Sequence, residues 1–544
     1  MLEHKTNSIP KIVLFGVVLL FLFGLVLRLY RIDEGLIFGY DQARDAYRSR
    51  SIIRNGDLKL LGPETDIPGV NHGVGYYYLI ALPLALSDDP VVTTSMLAVF
   101  NALGIFIVFY AAWFFFRNWR LALIASALYT VSFEIVQYAR WLSNPSLGVL
   151  TVLLVFVALW AWIKGFKNGL TFSLVMIALC LHFQFFLIYL YAMPIIIFFI
   201  YHPRSSKRSL FGGILMAFII DLPLILAEFK FHFQAINAFR VFLSSQSGTY
   251  DSVSNFLIRY LDRFVSVVFH TIVPFNSTVA FLVAILAVVL IYQHRHESSK
   301  NSPHMFLLLW LFSSFPMFIF SSGALNSEFS FVGVSVSLIF LTAYALDALW
   351  RNKQTRFLGI FIFASLMFLN MRFDLVHAQD GSFIFSVQRV MTYGYEKKIM
   401  DYTYHEAKGQ PFSICTLTNP LFINTTWAYL YETYGKKKYE YLPSWSGSDQ
   451  TGLLGNLPIN TLKPPLKFLI FEPLLGMPPH ASELFTKIEN YISDKVDEKS
   501  FGEFRVEKRR LLTEKEREDR RNGYTEAYNK EVLSQAYLLY RCFN

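Results

Sequence analysis

Roughly eleven apolar runs, most of them close to the length of a membrane span, constrain this chain more than any other feature. They lie at about 12–30, 91–116, 121–139, 146–163, 169–184, 185–201, 209–228, 274–292, 304–322, 329–350 and 357–374. About 20 apolar residues of helix cross a bilayer core, and in lipid only helices and closed barrels satisfy their own backbone groups. Charged residues make up 16% of the chain and the mean hydropathy is +0.39, whereas soluble domains carry about a quarter charged residues. The sequence therefore reads as a mainly α, polytopic membrane protein with about eleven transmembrane helices. No small-residue cleavage site follows the first run, which reads as a retained helix rather than a signal peptide. The runs at 169–184 and 185–201 are separated only by the polar triplet HFQ (182–184).

The net charge of +9 would suit nucleic acid, but its placement suits a membrane. Alternate loops hold Arg117 and Arg120; Lys164 and Lys167; Arg204, Lys207 and Arg208; Arg295 and Lys300; Arg351, Lys353 and Arg356. These twelve basic residues face a single acid, Glu297. Loops of the other parity are nearly bare of Lys and Arg, Arg140 excepted. By the positive-inside rule the basic loops and the N-terminus are cytoplasmic; an odd helix count then puts the tail outside. The reading divides the chain into a membrane domain, 1–374, and an extracytoplasmic α/β domain, 375–544. In the latter, PFSICTL (411–417) and LKFLIFE (466–472) read as buried strands. FINTTWAYLYETYG (422–435) reads as a helix ended by glycine, and 503–521 as a solvated helix. Cys180 reads as core filler; Cys415 and Cys542 are available for one disulfide in an oxidising compartment, two unpaired thiols being the alternative. Asn276 and Asn424 head N-x-[ST] patterns.

Ionisable groups at a membrane are costly and mark function more often than chance would. On this topology Asp41, Arg44, Asp45, His72, Arg140, His182, Glu228 and Lys230 lie in outer loops or at outer helix ends, with Asn144 and Gln184; Glu134 and Asp221 sit inside spans toward the outer side. Proximity to water explains any one of them, while the lopsided set points to one outward-facing polar cavity. The first outer segment, 31–90, holds FGYDQARDAY (38–47). Asp41, Arg44, Asp45 and Arg48 fall at i, i+3, i+4 and i+7, one face of a short helix. That face reads either as a solvated, salt-bridged surface or as an acid held over a cavity with arginines ready for an anionic group.

LRLYRID (27–33), FGYDQARDAY (38–47) and NHGVGYYYLIALP (71–83) together resemble the opening of integral-membrane glycosyltransferases of the GT-C class, in particular the protein O-mannosyltransferase and lipid A aminoarabinose transferase group (glycosyltransferase family 39-like). Those proteins have one span, then an outer loop with an Asp-Glu pair on a short helix, a basic residue and an aromatic-rich segment. Asp41 matches the family aspartate, Arg44 an arginine three residues on, His72 the basic residue and Tyr77 the aromatic segment. YARWLSNPS (138–146), HFQ and Glu228 add to the likeness. Gln42 stands where the second acid belongs, and Gly73 and Val74 replace prolines, which marks a divergent branch.

The resemblance implies transfer of a sugar from a polyprenyl-phosphate carrier to an acceptor hydroxyl of a glycan, lipid or protein on the outer face of the cell membrane. Asp41 would be the general base, with inversion at the anomeric carbon. Arg44, Arg140, His72 and Lys230, in that order, would meet the donor phosphate; Gln42, Asp45, Tyr77, His182, Gln184 and Glu228 would contact substrate. The competing roles are ordinary: Arg140 can snorkel, His72 can be a loop histidine, His182 and Gln184 can cap a helix turn, and Glu228 can pair with Lys230. No metal-ligand spacing is present; a divalent cation (Mg or Mn) bridging Asp41 and phosphate is the one cofactor left open, and Gln42 is a poor ligand for it. There is no nucleic-acid module. The rival classes are a transporter or flippase for a lipid-linked or anionic solute, whose signature is repeated halves with broken helices near the midplane, whereas here the two halves look unalike and the polar residues cluster at one face, and a non-catalytic scaffold.

Overall fold

The computed structural model describes residues 9–246, 253–274, 278–282, 285, 289, 302–319, 328–381, 390–421, 423–446, 455, 457–458, 464–473, 477–526 and 529–530. These form two compact units. The first comprises Met1–Tyr30, Asp57–Ile80 and Thr94–His377; the second comprises Arg31–Gly56, Ala81–Thr93 and Ala378–Asn544. The first outer segment is thus shared between them, its acidic helix falling in the second unit.

Helices of the first unit carry apolar side chains on their outside as well as their inside. On Lys11–Leu29, Ile12, Phe15, Leu22 and Val26 are exposed while Val13, Val17 and Leu27 are buried; Phe357, Phe361 and Phe368 are exposed on Arg356–Val376. Large exposed apolar faces are costly in water and are ordinary lipid contact in a bilayer. Lys11–Leu29, Pro90–Phe116, Asn144–Ile163 and Arg356–Val376 are long and apolar enough to cross a membrane. Two further expected spans are bent rather than straight. Trp119–Val131 meets Phe133–Ala139 at 57°, and Lys207–Ile220 meets Leu222–Lys230 at 53°. The first bend lies at Ser132, whose ψ of 119° breaks the hydrogen-bond ladder; the second follows Asp221, where Pro223 removes an N–H. Gly169–Phe183, Phe185–Tyr201 and Pro303–Phe318 are shorter apolar helices. HFQ does separate a pair of helices, because Gln184 is extended (φ −154°, ψ 105°). The described residues thus hold four straight candidate spans, or six with the bent pairs; the run at 274–292 lies largely outside them, as do Asn276, Arg295, Glu297 and Lys300. Residues 229–273 contain helices Gln234–Gln246 and Val253–Ile272. Aromatic rings pack the interior, with Phe156 stacked on Trp310 at 4.4 Å and Phe115 edge-on to Trp160, Phe306 and Phe340.

In the second unit five strands form one mixed sheet in the order β4-β3-β5-β7-β6. Here β3 is Ser413–Leu417, β4 Ser444–Trp445, β5 Leu466–Phe471, β6 Ser493–Phe501 and β7 Phe504–Leu511; β1 (Leu61–Glu64) and β2 (Asn71–Gly73) pair separately in the first unit. Parallel pairing joins β3 to β4 and β5, while β7 runs antiparallel to β5 and β6. The stretch 503–521 is therefore not one helix. Phe504 and Val506 are buried on one face of β7 and the ion-paired Glu507 and Arg509 on the other, so buried charges disguise the strand, and of this stretch the helical part is that within Glu514–Asn522. Thr425–Leu430 is a helix, continuing through a wider turn at Tyr431–Gly435 into Lys436–Tyr439. Cys415 is disulfide-bonded and Cys180 is a buried free thiol; Cys542 lies outside the described residues. Helix Tyr393–Ala407 lays Tyr402 on Phe468 and Tyr404 on Phe412.

Helix Tyr40–Asn55 is tied to the rest of this second unit through the backbone just before it, Leu36–Phe38. Phe38 N donates to Met391 O and Tyr393 N to Leu36 O, both at 3.0 Å, on either side of a bridge between Ile37 and Thr392. Phe38 and Tyr47 then pack on Tyr429 at 5.3 and 5.1 Å.

Candidate functional site

The acidic helix is set by its ends. Gly39 begins it, the Gln42 side chain accepts from Gly39 N at 2.9 Å, and Gly56 ends it at φ 64°, a left-handed conformation that glycine adopts without steric cost. Arg44 lies between two carboxylates, with Nη1 2.8 Å from Asp41 and Nη2 2.8 Å from Asp45, and its guanidinium over the Tyr40 ring at 5.4 Å. Arg44 and Asp45 are buried, at 8% and 3% side-chain exposure; Asp41 is 48% exposed. One cation between two anions leaves the trio with a net negative charge, and its reachable oxygens are those of Asp41. Gln42 is buried and spends its carbonyl oxygen on the helix cap, while its Nε2 has no partner. Among the described residues no three His, Cys, Asp or Glu side chains gather as metal ligands. With Gln42 turned to its own backbone, the trio does not make a fitting cation site.

The first unit gathers a different set. His72 Nδ1 accepts from Phe185 N at 2.9 Å, and His182 Nδ1 accepts from Gly75 N at 2.8 Å. Each ring is thereby assigned its proton on Nε2 when neutral. His182 Nε2 faces Ile220 O at 3.0 Å and Asp221 Oδ1 at 3.7 Å, and Asp221 Oδ2 accepts from the Tyr191 hydroxyl at 3.0 Å. Asn144 Nδ2 donates to Phe183 O at 2.7 Å. The segments NHG, HFQ, SNP and the bend at Asp221 thus meet, held by side chains that answer backbone groups released at helix breaks. Gln184 is buried within this knot with its Oε1 unpartnered, and Tyr77 is fully buried. Gly73 and Gly75 make the approach possible, since a Cβ at Gly73 would stand 2.6 Å from His182 Nδ1.

Two arginines cap each other's helices. Arg28, fully buried, donates to Thr130 O at 3.0 Å, Tyr129 O at 3.4 Å, Gly24 O at 3.0 Å and Asn101 Oδ1 at 2.9 Å. It thus meets carbonyls orphaned by the Ser132 break. Arg140 returns from the far side of that break to donate to Arg28 O at 3.1 Å and Tyr30 O at 2.6 Å, the C-terminal carbonyls of the first helix. Asp374 is buried and interacts electrostatically with both, without a hydrogen-bond partner. Glu134 accepts from Thr271 Oγ1 at 2.5 Å. Glu228 does not pair with Lys230. It accepts from Ala235 N and Ile236 N, both at 3.2 Å, at the start of helix Gln234–Gln246, while exposed Lys230 lies 5.4 Å from the Phe231 ring. Arg28, Asn101 and Asp374 are functional candidates that spacing does not reveal; the one available signal is a lone arginine inside an apolar helix.

No family model matches the sequence, and no curated protein matches it either. The fold, by contrast, is similar to that of ArnT from Cupriavidus metallidurans, in its apo state and bound to undecaprenyl phosphate. Each superposes with a TM-score of 0.55 at 11% identity, covering 90% of this chain and 97% of that one. The chain is thus a mainly helical, multi-pass membrane protein that shares the fold of that ArnT.

Proposed function

We propose that this chain is a glycosyltransferase that moves a sugar from a polyprenyl-phosphate carrier to an acceptor hydroxyl at the outer face of the cell membrane, its N-terminus cytoplasmic and residues 375–544 outside. The observation that carries the reading is the half-exposed Asp41 held by a buried Arg44–Asp45 pair. The likeness in fold to a protein solved with undecaprenyl phosphate supports the class of donor.

In the proposed reaction the acceptor oxygen attacks the anomeric carbon as its proton passes to the Asp41 carboxylate. The bond from that carbon to the phosphate oxygen breaks, and the electron pair leaves with the phosphate. A single displacement inverts the centre, whereas retention would need a second carboxylate as nucleophile. Asp45 is buried against Arg44 and poorly placed for that role. Arg44 then serves chiefly to aim Asp41. Arg140, His72 through Nε2–H, and Lys230 are proposed to balance the charge growing on the phosphate, with Tyr77, His182, Gln184 and Glu228 as substrate contacts or their supports.

The test is release of radiolabelled sugar from a polyprenyl-phosphate donor by the purified protein. Asp41→Asn is expected to lower the rate by about 100-fold or more, in the range of a lost general base, with donor binding retained. Binding without turnover in the parent protein would instead favour a transporter or scaffold.

A further inference from the structure

The second unit contains a cavity of about 880 Å³ that the proposed chemistry does not use. Its size is that of a small-molecule site. Segment Leu84–Asp89 forms one wall, and Tyr393 with segment Glu432–Lys438 forms another. We infer that it is a binding site for an anionic saccharide, a sugar unit bearing a carboxylate or a phosphate.

Most charges in the lining are already matched. Arg54 holds Asp88 at 2.6 and 2.9 Å, Arg50 reaches Glu432 at 3.3 Å, and Lys438 reaches Asp401 at 2.8 Å. Lys436 and Lys437, which follow one another on the rim, make no ion pair among the described residues. They supply the surplus positive charge that a single anionic group would meet. Asp89 is exposed in the opposite wall, a carboxylate able to accept from sugar hydroxyls. The Tyr434 ring is fixed in place, because its hydroxyl donates to Asp401 at 2.9 Å beside the Tyr439 hydroxyl at 2.8 Å. Lys438 Nζ lies over one face of that ring, 5.2 Å from its centroid, and the opposite face is the one proposed to receive a sugar's C–H groups. With Asp88 and Glu432 matched and Asp89 set against Lys436 and Lys437, the positive surplus is too small for a polyanion such as nucleic acid, which leaves a hydroxyl-rich ligand of low negative charge.

This inference does not depend on the transferase reading, and it is measured by binding alone. The full-length protein is titrated with glucuronic acid, glucose 6-phosphate, glucose and inorganic phosphate, followed by saturation-transfer NMR. Saturable binding of either charged sugar, at least tenfold tighter than glucose and not displaced by equimolar inorganic phosphate, is expected. The tighter of the two identifies the anionic group as carboxylate or phosphate. Lys436→Gln/Lys437→Gln should abolish the preference for charged sugar at an unchanged melting temperature, and Tyr434→Ala should weaken charged and neutral sugars alike. Equal binding of glucose and the charged sugars, or a preference that survives the double substitution, overturns the proposal. Asp41→Asn should leave this binding intact, so failure of one reading is distinguishable from failure of the other.

Discussion

Arg28 spends its donors on three backbone carbonyls and Asn101 while facing Asp374. Arg28→Met would strand those acceptors and leave the buried Asp374 carboxyl with Arg140 as its one remaining basic neighbour of the two. Loss of one partner of a buried pair costs about 3–5 kcal/mol, so a large fall in the unfolding midpoint is expected. Asp374→Asn added to Arg28→Met should restore some of it, with a coupling of about 1–3 kcal/mol; simple additivity would mean that the two do not interact. A second residue-scale case lies in the second unit, where Glu396 is fully buried with both oxygens unpartnered. Burial, then the neighbouring Glu472, holds the Glu396 carboxyl well above the usual range. Burial likewise lifts Glu472 to about 8, against bonds from Asn419 N and Trp427 Nε1 that pull it down. A carboxyl whose pKa is higher folded than unfolded keeps its proton after the unfolded chain has released it. Its stabilisation is complete at low pH and is lost as pH rises from about 4.3, the ordinary glutamate value, toward 8. The slope approaches about 1.4 kcal/mol per pH unit for each proton held. Glu396→Gln should flatten that decline as pH rises above the ordinary glutamate value, measured as unfolding midpoint against pH; parallel curves for parent and variant would refute it.

At the scale of elements, what a sequence shows and what it hides follow from hydropathy. Apolar spans, the strands β3 and β5 and the spacing of Asp41, Arg44 and Asp45 all stand out because one residue type repeats at a simple period. The bends at Ser132 and Asp221 do not, since Glu134 and Asp221 read as isolated polar residues in runs that stay apolar on either side. Val253–Ile272 hides for the opposite reason, as Arg259, Asp262 and Arg263 interrupt it although Tyr260, Val267 and Val268 bury one face. The candidate site was legible as residue types but not as roles. Polarity singles out His72, His182 and Asn144, yet only the fold shows that each answers a backbone group freed where a helix breaks. That knot also demands glycine at its closest point. Gly73→Ala would place a methyl 2.6 Å from His182 Nδ1 and 2.9 Å from its Cα. Overpacking of this kind costs about 1–3 kcal/mol, and His182→Ala should relieve only some of it because the backbone contact persists. A thermal unfolding series of the two single variants and the double variant measures this directly.

At the scale of the molecule, units and chain order do not coincide. Sequence reading divides the chain near residue 374, because hydropathy falls there and nothing local ties residue 37 to residue 392. The fold makes that tie with backbone hydrogen bonds and a bridge, then buries Phe38 and Tyr47 against Tyr429. Arg50 adds contacts to Asp88 at 3.8 Å and to Glu432 at 3.3 Å, and the Tyr429 hydroxyl donates to Asp88 O at 2.6 Å. Helix Tyr40–Asn55 has a polar sequence, and an isolated helix of its length is marginal in water. Its order must therefore come from residues far along the chain, Met391, Tyr393 and Tyr429 among them. A chain ending at residue 377 should keep slow amide exchange in Asn144–Ile163 and Pro90–Phe116, whose packing is internal to the first unit over most of their length. Amides of 40–55 should exchange as fast as an unstructured segment. The proposed transfer activity should then vanish although Asp41, Arg44 and Asp45 are all still present, because nothing would hold the trio in register. Retained protection of 40–55 in the truncated chain would show that the helix draws its stability elsewhere, and would sever the acidic helix from the C-terminal sheet as a working unit.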